Sequence, residues 1–286
     1  MSVQISGSTI EGLGRIPKNA DSSYQYLLVR LLLGTATVSR GYARGKQSTD
    51  YSSLPAIQQS KSSASAFKDF LASYSVGGTV ERFIRVTLAD NREFYKEILS
   101  EFLNYQLHAM QGRNTSAFVF LYRILERVSY SVPLLYAATQ SDYMGTFKDL
   151  KAILHADAEG ELGLFKKFLG QGRFIDPIKL QIIQKIKFSC SSGYGSNYYD
   201  LTCDKFKAFA SMDQAAQEVE IKFSEIPELL KTIRNRFFHS RTGDGRGNIT
   251  TITMPDSDEY FGKINPIIAS FLAIIVLHTF SAKYHV

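Results

Sequence analysis

Only two cysteines occur in the 286 residues, Cys190 and Cys203, in no CxxC spacing and with no histidine beside them. That excludes a disulfide framework and the usual zinc patterns, and leaves two free thiols in a reducing compartment as the expectation. The chain also lacks GxxxxGK[ST], GxSxG, HExxH and any GxGxxG placed after a strand, so nucleotide hydrolysis, serine hydrolysis, zinc proteolysis and dinucleotide chemistry lose their usual support. Apart from His239, the histidines are His108, His155, His278 and His285, which do not cluster; no metal and no cofactor is expected, and His278 reads as a core residue of an apolar run. The first thirty residues show no basic, then apolar, then small-residue order, which predicts a cytoplasmic protein. The longest apolar run, 267–277, falls short of the roughly 20 residues a bilayer span needs, so it predicts a helix buried in protein and no membrane partner. Charge bias is mild: +6 at pH 7 with a pI near 9.1 permits a polyanionic partner without requiring one.

Apolar content of 44% is enough to bury one large core or two modest ones. Residues 1–20 are aperiodic, and the apolar block Tyr24 to Leu33, with Arg30 its only charge, suits either a helix or a strand. The Ser-rich stretch 41–65 reads as a long loop, where Arg40, Arg44 and Lys46 beside Tyr42 are either RNA contacts or a solvated basic surface. A short helix is expected near 64–74, then a Gly77-Gly78 turn, then a strand in which Ile84, Val86 and Leu88 alternate. From Asp90 the character changes. Asp90 and Glu93 form a capping box, Phe94, Ile98, Phe102 and Met110 mark a helical stripe, and Gly112 stops it. This divides the chain into an N-terminal extension, 1–88, and a helical domain, 89–286.

A helix starting at Asn114 or Thr115 is apolar almost all round, which predicts a central position and a kink at Pro133. Its charges, Arg123, Glu126 and Arg127, suggest a buried Arg–Glu pair at three-residue spacing. Helices are expected at 144–156 and 160–170, and Asp176-Pro177 should open another that runs through Phe188. Next come a loop at 189–203, whose Tyr194, Tyr198 and Tyr199 either stack on bases or pack at its rim, a helix at 204–217, and a strand or hairpin at 248–254.

The stretch 231–247, KTIRNRFFHSRTGDGRG, is the one that looks chemical. Ser224 and Glu225 signal a helix start, and Ile226, Leu229, Leu230, Ile233 and Phe237 recur at helical spacing, so one face is core. The other face carries Lys231, Arg234, Asn235 and, one turn on, His239, followed by Arg241 and Arg246 where Gly243, Gly245 and Gly247 must end the helix. Cations there also offset the helix dipole, which is the plain structural alternative.

Arg234-Asn235-x-x-x-His239 on an amphipathic helix, followed by a loop and a strongly apolar last helix, resembles the signature of the HEPN superfamily. The resemblance implies a mainly α, HEPN-like helical bundle with a few short strands after an N-terminal extension. It also implies a homodimer in which two motifs meet and cleave RNA without metal, in a toxin or antiviral defence system that a partner protein can regulate. Members paired with a nucleotidyltransferase antitoxin often carry a Tyr two residues after the His; here that position is Arg241, which argues against such a partner. A non-catalytic HEPN-like module for nucleotide binding, RNA binding or assembly is the alternative.

The chemistry fits the residue types. RNA brings its own nucleophile, the 2′-hydroxyl, so the protein has only to move protons and hold charge on phosphorus. An imidazole titrates near neutrality and a guanidinium grips two phosphate oxygens, which assigns His239 as acid/base and Arg234 as phosphate clamp, with Asn235 orienting. Lys231, Arg236, Arg241 and Arg246 are the candidate RNA-binding cations. Five residues on an ideal helix turn through about 140°, so Arg234 and His239 do not share a face and a site composed across a dimer is expected.

Overall fold

The computed structural model describes residues 2–4, 9–10, 14–15, 23–40, 43–73, 80–87, 91–154, 160–170, 172, 174–238, 248–250 and 252–284. In chain order these form strands β1 (Ser2–Gln4), β2 (Thr9–Ile10) and β3 (Gly14–Arg15), helix α1 (Tyr24–Leu32), and strands β4 (Ala36–Arg40), β5 (Ala43–Gln47), β6 (Thr49–Asp50) and β7 (Ile57–Gln58). Helices α2 (Ser63–Ser73), α3 (Val80–Thr87), α4 (Arg92–Met110), α5 (Asn114–Thr139), α6 (Tyr143–Leu154), α7 (Gly160–Gly170) and α8 (Pro177–Leu180) follow. Strand β8 (Ile183–Lys187), helix α9 (Gly195–Lys205), strands β9 (Ser211–Asp213) and β10 (Glu218–Lys222), and helices α10 (Ile226–Phe237) and α11 (Ser257–Tyr284) complete the order. The fold is mainly α, as expected. Its short antiparallel strands are grouped β1-β4-β5, β8-β10-β9, β2-β3 and β6-β7.

Helix α5 is the hub, packing most extensively against α11 on one side and α4 on the other. Phe118, Leu121, Ile124, Leu125, Val128 and Val132 recur at three- and four-residue steps and are all fully buried. Burial does not run all round the helix: Val119, Tyr130 and Leu134 face solvent. On α4, Ile98 and Phe102 are buried as expected, but Met110 is exposed and Phe94 only half-buried. Asn91 holds the N-cap position without a side-chain bond, and Asp90 lies outside the described residues. Gly112 does stop the helix, at φ 71°, a conformation an L side chain resists.

The 267–277 run belongs to the 28-residue α11. As a whole, residues 257–280 are long and apolar enough to cross a membrane by length and composition, but most of the stretch is buried against protein. Its main partner is α5, with a smaller contact to α10 that includes Phe261 against Phe237. Polar contacts lock the start of α11 to the start of α5: Thr115 N–H donates to Asp258 Oδ1 at 2.7 Å, and Asn265 Nδ2 donates to the Asn114 carbonyl at 2.8 Å. An acidic first-turn residue of one helix thus caps its neighbour.

The N-terminal segment shares this core. Phe67 and Phe70 of α2, Phe83 of α3 and Phe280 of α11 stack edge-on within about 6.4 Å, and Tyr95 of α4 lies 4.9 Å from Phe280. The apolar block at 24–33 is helical because tertiary burial engages all its faces. The expected strand at 80–88 is instead α3: Phe83, Ile84 and Thr87 are buried while Arg85 and Val86 are exposed, a period near 3.6, not 2. Leu88 and the Gly77-Gly78 turn fall outside the described residues. The expected loop 41–65 holds the β4–β5 hairpin, which pairs Arg40 with Ala43 and Thr37 with Lys46, then β6, β7 and the start of α2.

Further corrections concern the second half. Asp176 caps Ile178 N–H as expected, but α8 lasts only four residues. The following stretch is strand β8, whose alternating burial of Gln184 and Ile186 shows the period-2 pattern. The expected 189–203 loop contains α9, because Tyr198 and Tyr199 turn inward, with only Tyr194 exposed. The expected helix at 204–217 does not form: α9 ends at Lys205, β9 follows at Ser211–Asp213, and β10, just beyond, pairs with β8 from Glu218–Lys187 to Lys222–Ile183. Described residues of 248–254 form no strand, Thr250 and Thr253 closing a small turn.

Candidate nucleic-acid interface

A short 3₁₀ turn at Phe223–Glu225 leads into α10, with Pro227 in its first turn where no N–H is missed and Glu228 favouring the positive end of the dipole. Ile226, Leu229, Leu230 and Ile233 are buried, so the core face follows the sequence periodicity, while Phe237 is half-buried. Aromatic rings clamp the C-terminal end: Phe237 lies 5.1 Å from Phe261 of α11, and Phe238 stacks nearly parallel on Phe118 of α5 at 5.8 Å. Ring contacts from two successive phenylalanines tie the last turn of α10 to α5 and α11.

On that last turn Arg234 is half-buried, its guanidinium lying 4.6 Å above the Tyr122 ring while Nη1 donates to Asn235 Oδ1 at 3.1 Å. Among the described residues no carboxylate forms an ion pair with it. The other arginines near α5 differ. Arg123 pairs with the buried Glu101 of α4 at 3.1 Å, and Arg127 reaches Glu97 at 2.7 Å and Glu101 at 3.6 Å. The expected Arg–Glu pair within α5 is therefore replaced by a clasp between α4 and α5, which leaves Glu126 exposed and without an ion pair among the described residues.

Phe118, Val119, Tyr122, Glu126, Arg234 and Phe238 enclose a cavity of about 220 Å³ that opens to solvent. Its lining is mainly apolar and aromatic, and the guanidinium and carboxylate that also line it form no ion pair with each other. At about 220 Å³ it is smaller than the roughly 300–1,000 Å³ of sites that take a whole drug-sized ligand, so its aromatic lining suits a fragment the size of one ring system.

The structure brings Arg234 and Asn235 together but spreads the other candidates. Lys231, a turn earlier, lies 3.8 Å from Glu228. Arg236 faces α9, where Lys205 first and Arg236 more weakly hold the Asp204 carboxyl below its usual range. His239, Arg241 and Arg246 lie outside the described residues, as do Gly243, Gly245 and Gly247. On either side of them the chain is anchored: Phe238 is packed as above, and Ile249 N–H donates to the Arg236 carbonyl at 2.8 Å.

Elsewhere, Lys46 is exposed, Arg40 and Arg44 sit in paired strands, and Tyr42 lies outside the described residues. His278 is packed near Lys179, whose Nζ is 3.4 Å from Nε2; an ammonium only donates, so the imidazole accepts and is neutral. Burial, then Lys179, pushes its pKa down to about 4. His155 and His285 lie outside the described residues, among which no group of three or more His, Cys, Asp or Glu side chains is placed to hold a metal. Both cysteines are free thiols. Tyr122, Glu126 and Phe238 are the site residues sequence reasoning missed, although the four-residue steps Phe118, Tyr122, Glu126 put them on one stripe of α5.

Comparison with known proteins finds no counterpart: no protein-family model, no curated protein and no solved structure matches this chain.

Proposed function

We propose that this protein is a metal-independent endoribonuclease of the HEPN type, working as a homodimer in a toxin or antiviral defence system under the control of a partner protein. The observation that carries the reading is Arg234: a guanidinium held in place by Tyr122 and Asn235, with no ion-paired carboxylate among the described residues, beside an open cavity. A positioned, uncompensated guanidinium attracts and orients a phosphodiester. His239 follows one residue after the clamped Phe238 and supplies the proton transfer.

In the reaction, the 2′-oxygen loses its proton to the imidazole and bonds to phosphorus, the bond to the 5′-oxygen breaks, and that oxygen takes a proton from an imidazolium of the composite site. Products are a 2′,3′-cyclic phosphate and a 5′-hydroxyl. Arg234 stabilises the charge gathering on the phosphoryl oxygens. The homodimer, which the family resemblance implies, supplies a second motif to a composite site.

The test is incubation of the purified protein with RNA and with DNA in EDTA. Expected are RNA products with cyclic phosphate ends, intact DNA, a dimer by light scattering, and loss of at least about a hundredfold in rate for His239→Ala, in the range of a lost general acid/base. Arg234→Lys should also lose most activity, since a point charge does not reproduce the bidentate grip. RNA binding without cleavage, unchanged by His239→Ala, would establish the binding-module alternative instead.

A further inference from the structure

The cavity beside Arg234 has a composition that a phosphate clamp alone does not need. Its walls are rings, those of Phe118, Tyr122 and Phe238, and the last of these is substantially exposed. An aromatic wall facing solvent next to a phosphate-binding cation suits the flat face of a nucleobase splayed from a single strand. Besides Arg234, the cavity is lined by Glu126, a carboxylate with no ion pair among the described residues. The charge repels phosphate, so it has no place in a surface built only to bind the backbone.

A carboxylate offers two acceptors side by side. Guanine alone among the four RNA bases sets two donors side by side on its Watson–Crick edge, N1–H and the N2 amino group. Adenine and cytosine place a ring acceptor beside their single amino group, and uracil flanks its one N–H with two carbonyls. Each would bring an acceptor against the carboxylate and leave it facing a lone pair, which is costly when water is excluded.

We propose that the Tyr122–Glu126–Phe238 cavity is a guanine slot, in which Glu126 reads the base while Arg234 holds the adjoining phosphate. The proposal rests on the reading of the protein as acting on RNA, and it adds a base preference to it. Glu126 is thus the specificity-determining residue, and cleavage occurs next to guanine.

Two measurements on the full chain test this. In calorimetric titrations, guanosine 3′- or 5′-monophosphate should bind at least about tenfold more tightly than the matching adenosine nucleotide, and Glu126→Gln, which swaps one acceptor for a donor, should erase the difference. Because Glu126 is exposed, the variant should melt within a few degrees of the parent, and a melting curve checks this. Equal binding of the two nucleotides, absence of binding, or a preference that survives Glu126→Gln overturns the slot. In the second measurement, cuts mapped on mixed-sequence RNA should fall beside guanine in the parent and spread over all four bases in Glu126→Gln. Guanine nucleotide binding without RNA cleavage would refute the ribonuclease reading and leave the slot standing. Cleavage at all bases without guanine binding would refute the slot and leave the ribonuclease standing.

Discussion

Arg123 and Arg234 are both arginines on amphipathic helices, and their surroundings give them different work. Arg123 shares the buried carboxylate of Glu101 with Arg127, so its charge joins α4 to α5, whereas Arg234 lies over the Tyr122 ring with no ion pair among the described residues. His278 illustrates the same dependence on surroundings. With the folded pKa near 4 and the ordinary value at 6.5, the folded state excludes a proton that the unfolded chain binds between those limits. Stability from this group is therefore complete above about pH 6.5 and is lost as pH falls toward 4, by up to about 3 kcal/mol. Replacing it as His278→Leu should flatten that limb: the drop in melting temperature between pH 7 and pH 4.5 should shrink clearly. An unchanged drop would mean that other groups govern the acid response.

At the scale of elements, α5 and α11 depend on polar contacts at their N-terminal ends as much as on their apolar faces. Asp258 caps the Thr115 N–H, Thr115 Oγ1 bonds to Ser257, and Asn265 donates to Asn114. Removing the cap by Asp258→Ala should cost about 1 kcal/mol, or about 2–4 °C in melting temperature, as for other helix N-caps. Because Phe261 follows Asp258 by three residues and packs on both Phe118 and Phe237, the same variant should also loosen the end of α10. Faster amide hydrogen exchange at residues 233–238 would report this; exchange confined to 114–117 would mean the cap acts locally.

For the whole molecule, the aromatic cluster of α2, α3, α4 and α11 makes the N-terminal segment part of the main core. A chain beginning at residue 89 would expose faces of Phe280 that Phe70 and Phe83 now cover. Such a chain should aggregate or lose its single cooperative melting transition, since an uncovered apolar patch of that kind drives association. A soluble 89–286 fragment with an unaltered melting transition would instead make residues 1–88 a separable extension.

Some of this was determined by the sequence alone. Helices α4, α5 and α10 follow from apolar residues at three- and four-residue spacing, and the end of α4 follows from Gly112, because local sterics and one-sided burial act over a few residues. The polar face holding Arg234 and Asn235 was legible for the same reason. Other features depended on distant partners. Residues 183–187 became a strand because β10, more than thirty residues later, supplies their hydrogen bonds, and residues 83–87 became a helix because Gln25 of α1 and Phe280 of α11 meet one side of it. The cavity beside Arg234 is built from α5 and α10, whose residues are more than a hundred positions apart. No periodicity records such a meeting, so only the tertiary structure decided that Glu126 has no ion pair among the described residues and lines the same cavity as Arg234.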